Sequence, residues 1–306
     1  MAFSATILGS SSATPTSKRN PSSILLNMNY KFFLVDCGEG TQIQLRRFRF
    51  KIQKIRHIFI SHLHGDHFFG LVGLISSMHL LGRQEDLHVY ADPRIKGIID
   101  LQMEASATEL RFNIVYHPTN PSEPEILYED DDHFIRSFPL DHRIPTTGFL
   151  FSEKKKPLKI RKEFVKQERP TVEEIHKIKS GEDYVSQSGR FYKNSQITIA
   201  PPPPRSFAYC SDTRYNEATA EYVKGSDLVY HEATFMEDMA DQAEEKYHST
   251  AAQAADIARK AGAGRLIIGH FSARYKNLEK LLEEAKQIFP ETELAEDGLT
   301  FKIVRK

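Results

Sequence analysis

The chain has 306 residues and carries 41 Lys plus Arg against 41 Asp plus Glu, a formal net charge of zero. That balance excludes inferring a nucleic-acid partner from overall charge, so any basic footprint has to be local. At this length one large α/β domain is expected; two cysteines are too few for a disulfide framework, and no apolar run reaches bilayer-spanning length.

Phe3 to Leu8 alternates as a first strand, and no basic segment followed by an apolar stretch precedes it, which predicts a cytoplasmic protein without a signal peptide. Gly9 to Asn20 is a loop of Ser, Thr, Gly and Pro that ends in Lys18-Arg19-Asn20. Ser22 to Met28 and Lys31 to Val35 read as a hairpin, whose second strand runs into Asp36-Cys37-Gly38-Glu39-Gly40. Thr41 is placed to cap a helix reaching about Phe48.

Residues 57 to 67 read His-Ile-Phe-Ile-Ser-His-Leu-His-Gly-Asp-His. The apolar Ile58, Phe59 and Ile60 suit the end of a buried strand, and His62, His64, Asp66 and His67 follow where it stops. Gly65 gives the backbone freedom to turn them toward one point. Imidazoles with a carboxylate are what a borderline-soft divalent ion such as zinc prefers. Burying such a cluster without a partner costs several kcal/mol, and four candidate ligands in six residues leave room for more than one ion. A dinuclear hydrolase is the reading this run supports.

Phe69 to Leu81 has a helical period, and Pro93 to Leu110 reads as a further helix. His79, His88 and His117 read as core or surface histidines rather than ligands, and Glu129 to Asp132 as a solvated acidic turn. The strand Phe134 to Leu140 ends in Asp141-His142, and Gly148 to Ser152 begins another. Residues 153 to 182 then form a basic insertion, with Lys154, Lys155, Lys156, Lys159, Arg161, Lys162, Lys166, Arg169, Lys177 and Lys179, broken by Pro157 and Pro170. A projecting arm aimed at phosphate backbone is the expectation, against the plainer one of a solvated helix face. Ile197 to Ala200 is expected to resume the core, and Pro201 to Pro204 to be a stiff spacer.

Phe207 to Cys210 ends in Ser211-Asp212-Thr213-Arg214, and Leu228 to His231 runs into Glu232-Ala233-Thr234. His248-Ser249-Thr250 precedes a helix from Ala251 to Ala261, with Ser249 or Thr250 as its cap. Gly264 to Ile268 leads into Gly269-His270-Phe271-Ser272-Ala273-Arg274-Tyr275, before a last amphipathic helix, Leu278 to Phe289, and a final strand, Leu299 to Val304. His62, His142, Asp212, His231 and His270 all fall where a strand gives way to a loop, and in layered α/β folds such residues gather at one edge.

The run His62-Leu63-His64-Gly65-Asp66-His67, with His142, Asp212 and His270 downstream, resembles the metallo-β-lactamase superfamily. Pro15 to Asn20, Asp36-Cys37-Gly38-Glu39, Ser211-Asp212-Thr213-Arg214, His231-Glu232-Ala233-Thr234-Phe235, Tyr247-His248-Ser249-Thr250 and His270-Phe271-Ser272-Ala273-Arg274-Tyr275 narrow the similarity to the ribonuclease Z family of tRNA 3′-processing endonucleases. The resemblance implies one αββα sandwich over residues 1 to 306, with the basic arm at 153 to 182 as its exosite. It also implies two zinc ions, or manganese or another divalent ion in their place. His62, His64 and His142 would hold one, Asp66, His67 and His270 the other, with Asp212 bridging. Asp66, His248 and Glu232 would be catalytic: Asp66 serving the nucleophile, His248 protonating the departing oxygen and Glu232 orienting it, while His231 fixes loop structure. Lys18, Arg19, Asn20 and Arg274 would contact a precursor tRNA, and the enzyme would be a homodimer without a membrane partner.

Two departures from the family pattern stand out: the lysine of Pro15 to Asn20 lies one place late, and Arg169-Pro170-Thr171 stands near the arm's tip where a Gly-Pro is usual. The alternatives are a metallohydrolase acting on a small ester and a non-catalytic RNA-binding subunit; the complete ligand set argues against the second.

Overall fold

A computed structural model describes residues 2–305. It divides into two compact units: the larger comprises residues 1–129, 134–152 and 205–306, the smaller 130–133 and 153–204.

The larger unit is built on two seven-stranded sheets. In the first, Thr300–Lys302, Phe3–Gly9, Ser23–Met28 and Lys31–Val35 are antiparallel, and Ile55–Phe59, Leu87–Ala91 and Ile114–Pro118 continue from Lys31–Val35 in parallel. In the second, Thr292–Leu294, Arg265–Gly269, Leu228–Glu232 and Ser206–Cys210 run parallel. Thr146–Glu153, His133–Leu140 and Glu125–Glu129 complete it, the first and last of these pairings being antiparallel.

Side chains alternate across a strand, so a sheet with apolar residues at successive positions has to be covered on both faces. Phe33, Val35 and Phe59 belong to the core between the sheets, where Phe33 meets Phe151 at 6.0 Å and Phe59 meets Phe149 at 5.5 Å between ring centroids. Their neighbours Leu34 and Ile58 face a second core with Leu71, Leu74, Ile75 and Met78 of the helix Gly70–Leu80 and Ile95 and Ile99 of Arg94–Ala105. Ala251–Lys260 buries Ala254, Ala255 and Ala258 against the second sheet, giving the expected αββα layering.

The smaller unit carries its own core of Phe164, Ile178, Tyr184 and Ile197. Its helices Lys162–Glu168 and Val172–Ser180 flank Pro170, and the second opens on a capping box between Thr171 and Glu174. Lys159–Ile160 pairs with Thr198–Ile199, so Ile197 to Ala200 completes this unit instead of resuming the sheets. The basic stretch 153 to 182 is thus the first part of a unit that continues to Pro204. Its length is not legible in the sequence because Tyr184–Val185, Phe191–Tyr192 and Thr198–Ile199 are strands of only two residues.

Other differences are local. Gly40, at φ 80°, takes the N-cap position of Thr41–Arg47, and the Thr41 hydroxyl donates to the Gly38 carbonyl instead of capping. The helix after Pro93 ends at Ala105, and Glu125–Glu129 is a strand entering the acidic turn. No helix among the described residues is long and apolar enough to cross a membrane.

Candidate metal centre

Five strands, Lys31–Val35, Ile55–Phe59, His133–Leu140, Ser206–Cys210 and Arg265–Gly269, end at the same edge of the sandwich. The first sheet supplies Asp36 and the His62–His67 run, the second His142, Asp212 and His270. Asp66 and His67 lie in a one-turn helix, Gly65–Phe68, that precedes the long helix. Gly65 is in that turn without a positive φ; a Cβ there would lie 2.2 Å from the ring of the exposed Phe69, which would have to turn aside. The turn is strapped to the Asp36-Cys37-Gly38 segment, where Cys37 N donates to His67 O at 2.7 Å and Gly70 N to Cys37 O at 2.9 Å. A Cβ on Gly70 would fall 2.0 Å from Gly38 O, so only glycine permits this approach.

The structure gathers the candidate ligands into two clusters: His62, His64, His142 and Asp212, and Asp66, His67 and His270, the ligand atoms within each lying inside 4.8 Å. Asp212 stands between them, 3.6 Å from His62 Nε2 through Oδ2 and 3.2 Å from His270 Nε2 through Oδ1. The donor set fits divalent cations. His62 Nε2 approaches His64 Nδ1 to 3.0 Å and His67 Nε2 approaches His270 Nε2 to 3.3 Å, so ring nitrogens converge on one another within each cluster. The buried Asp212 Oδ1 makes no hydrogen bond of good geometry although two imidazoles stand within ion-pair reach. A cation in each cluster would satisfy these atoms.

Most of the ionisation states point the same way. Burial, reinforced by neighbouring imidazoles, holds His62, His64 and His142 below the ordinary histidine value. Burial opposes the charge of Asp66 and Asp212, but His67 and His270 outweigh it and keep both well below the ordinary carboxylate range. Neutral imidazoles and ionised carboxylates are the ligating forms; His67 is the exception, because Asp212, Asp66 and Asp36 outweigh its burial and hold it well above the ordinary histidine value, with a proton that a divalent ion would have to displace.

Outer groups orient the rings. Asp36, fully buried and absent from the sequence-derived site, accepts from His67 Nδ1 at 2.7 Å, Ser61 N at 2.7 Å, Ser61 Oγ at 2.9 Å and Tyr209 Oη at 2.6 Å. The signal for it was present, since Asp36 also ends a strand. His142 Nδ1 donates to Tyr247 O at 2.8 Å, which points Nε2 inward. Asp66 Oδ2 accepts from the Ala13 amide at 2.7 Å.

Glu232 is fully buried beneath His248, its Oε1 2.9 Å from His248 Nδ1 and accepting from Ser249 N at 2.9 Å. Burial disfavours the imidazolium, yet Glu232 and then Asp212 and Asp66 raise His248 to about 9. His231 lies within its strand, buried and donating from Nδ1 to Glu232 O at 2.7 Å, away from the clusters.

A cavity of about 440 Å³ opens over these groups, lined by His64, Asp66, Asp212, His248 and His270 and rimmed by Glu39, Phe69 and Arg143. Neither Phe69, 66 % exposed, nor Arg143 figured among the sequence-derived residues. Of those that did, Lys18 is exposed on its loop, whereas Arg19 and Asn20 anchor it. The Arg19 guanidinium donates to the Tyr275 and Ser272 carbonyls, and Asn20 donates through N and Nδ2 to Asp297 Oδ2 at 2.8 and 2.9 Å. Arg274 is exposed, with its guanidinium 5.0 Å from the Phe235 ring centroid. His88 and His117 hydrogen-bond one another at 3.0 Å outside either cluster.

Two family models match the chain: "Anti-Pycsar protein Apyc1" over residues 3–119 and "Beta-lactamase superfamily domain" over 178–271. Ribonuclease Z of Bacteroides fragilis is 43% identical, the alignment covering 98% of this chain and 99% of that protein. Ribonuclease Z of Cytophaga hutchinsonii is 44% identical over 99% and 97%. The crystal structure of human tRNase Z, short form, superposes with a TM-score of 0.72 at 28% identity, covering 98% of this chain and 99% of that one. With near-complete coverage of curated relatives at this identity, the same fold, and the ligand-type residues assembled at one sandwich edge, the chain belongs to the ribonuclease Z family.

Proposed function

We propose that the protein is a metal-dependent endoribonuclease that cleaves precursor tRNA after the discriminator base, leaving a 3′-hydroxyl on the tRNA and a 5′-phosphate on the trailer. The observation that carries this reading is the paired His/Asp clusters sharing Asp212, set beside the Glu232–His248 pair at the floor of one open cavity. His62, His64 and His142 would hold one divalent ion and Asp66, His67 and His270 the other, with Asp212 shared between them; zinc suits the imidazole-rich set. Such a pair, when bound, supplies Lewis-acid stabilisation of the phosphoryl oxygens and a lowered pKa for the attacking water.

The chain's own residues do the rest. Asp66, held by the Ala13 amide, orients the attacking water or accepts its proton. His248, kept protonated by Glu232, gives its proton to the departing 3′-oxygen of the tRNA as the P–O bond breaks, so the phosphate leaves on the trailer. The exposed Lys155, Lys159, Arg161, Lys162, Lys166, Lys177 and Lys179 offer a phosphate-binding surface on the smaller unit. A cytoplasmic homodimer is the assembly the family resemblance suggests, checked by light scattering.

The test is cleavage of precursor-tRNA transcripts, with and without a terminal CCA, by purified protein with zinc or manganese and mapped product ends. A single cut after the discriminator base is expected. Intact precursor with metal bound overturns the reading, and Asp66→Ala should abolish cleavage while RNA retention persists.

A further inference from the structure

Thr234 took no role in the reaction outlined above, yet its hydroxyl touches both halves of the site. It lies 2.8 Å from Glu232 Oε2, 3.0 Å from the His270 carbonyl, 2.9 Å from His270 Nδ1 and 3.3 Å from His248 Nδ1. The residue is 3 % exposed, so water does not compete for these partners.

The donor count settles how the hydrogen bonds divide. A threonine hydroxyl has one proton and two acceptor lone pairs. Glu232 Oε2, a carboxylate oxygen that also accepts from Thr234 N at 2.9 Å, is closer and more strongly accepting than the His270 carbonyl, the other pure acceptor in reach, and the proton goes to it. The hydroxyl oxygen then has only acceptor capacity left for His270, whose Nδ1 must carry the proton. That leaves His270 Nε2 with a free lone pair, and Nε2 is the atom facing Asp212 Oδ1 at 3.2 Å and Asp66 Oδ2 at 3.3 Å.

The strand geometry explains why a separate residue is needed. His270 has left-handed backbone, φ 58°, immediately after Arg265–Gly269, so its ring orientation is not set by a regular element. Thr234 sits just past the adjacent strand Leu228–Glu232, hydrogen-bonded in parallel to that one, at the height to receive the ring. Glu232 thus acts in two directions: through Oε1 on His248, and through Oε2 and Thr234 on His270.

We propose that Thr234 is a positioning residue that fixes His270 as its Nδ1–H tautomer, and that it ties this metal ligand and the proton donor His248 to the single carboxylate of Glu232. The assignment rests on the metal-ligand reading of His270.

The experiment uses Thr234→Val, which keeps the shape and removes the hydroxyl, and Thr234→Ser, which keeps the hydroxyl. Zinc alone is the probe, with its affinity measured by chelator competition and folding monitored by the thermal midpoint in excess chelator. Loss of such an outer partner weakens metal binding roughly 10- to 100-fold, so T234V should lose zinc affinity by about that factor while T234S stays near the parent. In zinc-loaded parent protein, imidazole nitrogen NMR should show a proton on His270 Nδ1 that exchanges slowly with water, and fast exchange in T234V. Parent-like zinc affinity in folded T234V, or failure of T234S to restore the parent value, overturns the proposal. So does a His270 ring protonated at Nε2 in the zinc-loaded parent, a result that needs no variant to fold. A parent protein showing the Nδ1–H signature and tight zinc binding but leaving precursor tRNA intact would instead refute the functional reading and leave this assignment standing.

Discussion

Asp36→Asn is the substitution whose consequences can be worked furthest from the structure. Asp36 has a left-handed backbone, φ 53°, which asparagine tolerates and alanine does not, so the amide isolates the loss of charge. Three donors, His67 Nδ1, Ser61 Oγ and Tyr209 Oη, meet at Oδ2, while Ser61 N meets Oδ1. The better orientation of the amide keeps its oxygen where the three donors converge and turns its NH2 onto the Ser61 N–H. One buried bond becomes donor against donor, and the other three lose their charge assistance. A hydrogen bond to a charged group is worth about 1.5–3 kcal/mol and a stranded buried donor costs about 1–3, so a net loss of about 3 kcal/mol is expected. At about 2 °C per kcal/mol for a large chain, that lowers the thermal midpoint by about 6 °C. The assay is thermal unfolding in excess chelator, where cation binding cannot mask the change, followed by zinc competition. There the looser His67 ring should cost about 10-fold or more in affinity. A midpoint and a zinc affinity both equal to the parent's would refute the claim that Asp36 anchors His67.

Three further outcomes are expected. Because Glu232 raises His248 to about 9, the protonated donor persists through neutral pH and cleavage should decline as pH rises through its pKa. Glu232→Gln removes the charge that favours the imidazolium, so the alkaline limb of kcat/KM against pH should move toward lower pH; a limb that stays put separates Glu232 from proton donation. Phe69 presents an exposed ring at the cavity rim, and stacking of a base on an aromatic side chain is worth about 1–3 kcal/mol; Phe69→Ala should therefore raise KM for precursor tRNA about 10-fold with kcat less affected, a split read from steady-state kinetics. Replacing Lys162 and Lys166 by alanine should flatten the salt dependence of RNA binding, by somewhat less than one in the log–log slope for each phosphate no longer neutralised; an unchanged slope would remove these lysines from the RNA surface.

The strand-end regularity made the gathering of the candidate ligand residues legible in the sequence, because a strand fixes where its last side chain goes and parallel strands bring their ends to one edge. His231 shows where that logic stops: it still lies inside its strand, and its ring bonds a carbonyl. Asp36 ended a strand too, but its importance depends on Tyr209, 173 positions away, and no local pattern announces such a partner. His88 and His117 lie outside both clusters, and His88 stacks at 4.9 Å on His57 across adjacent strands. The extent of the smaller unit was hidden because two-residue strands carry no periodicity. Gly65 was read as supplying backbone freedom, yet it has no positive φ, and the Phe69 ring that lies against it is visible only in three dimensions.

The two clusters draw His62, His64, Asp66 and His67 from one sheet and His142, Asp212 and His270 from the other. Apolar packing between sheets resists separation but grips sliding weakly, whereas coordination distances tolerate only tenths of an ångström. A slip of one strand residue, about 3.3 Å, would carry the second sheet's ligands out of reach of an ion held by the first. Cations bound at this edge would therefore act as dowels that lock the shear register of the sandwich. At a free concentration 100 times the dissociation constant, each adds about 2.7 kcal/mol to the folded state. Stripping the metal would then loosen the alignment on which the proposed placement of His248 over the leaving group depends.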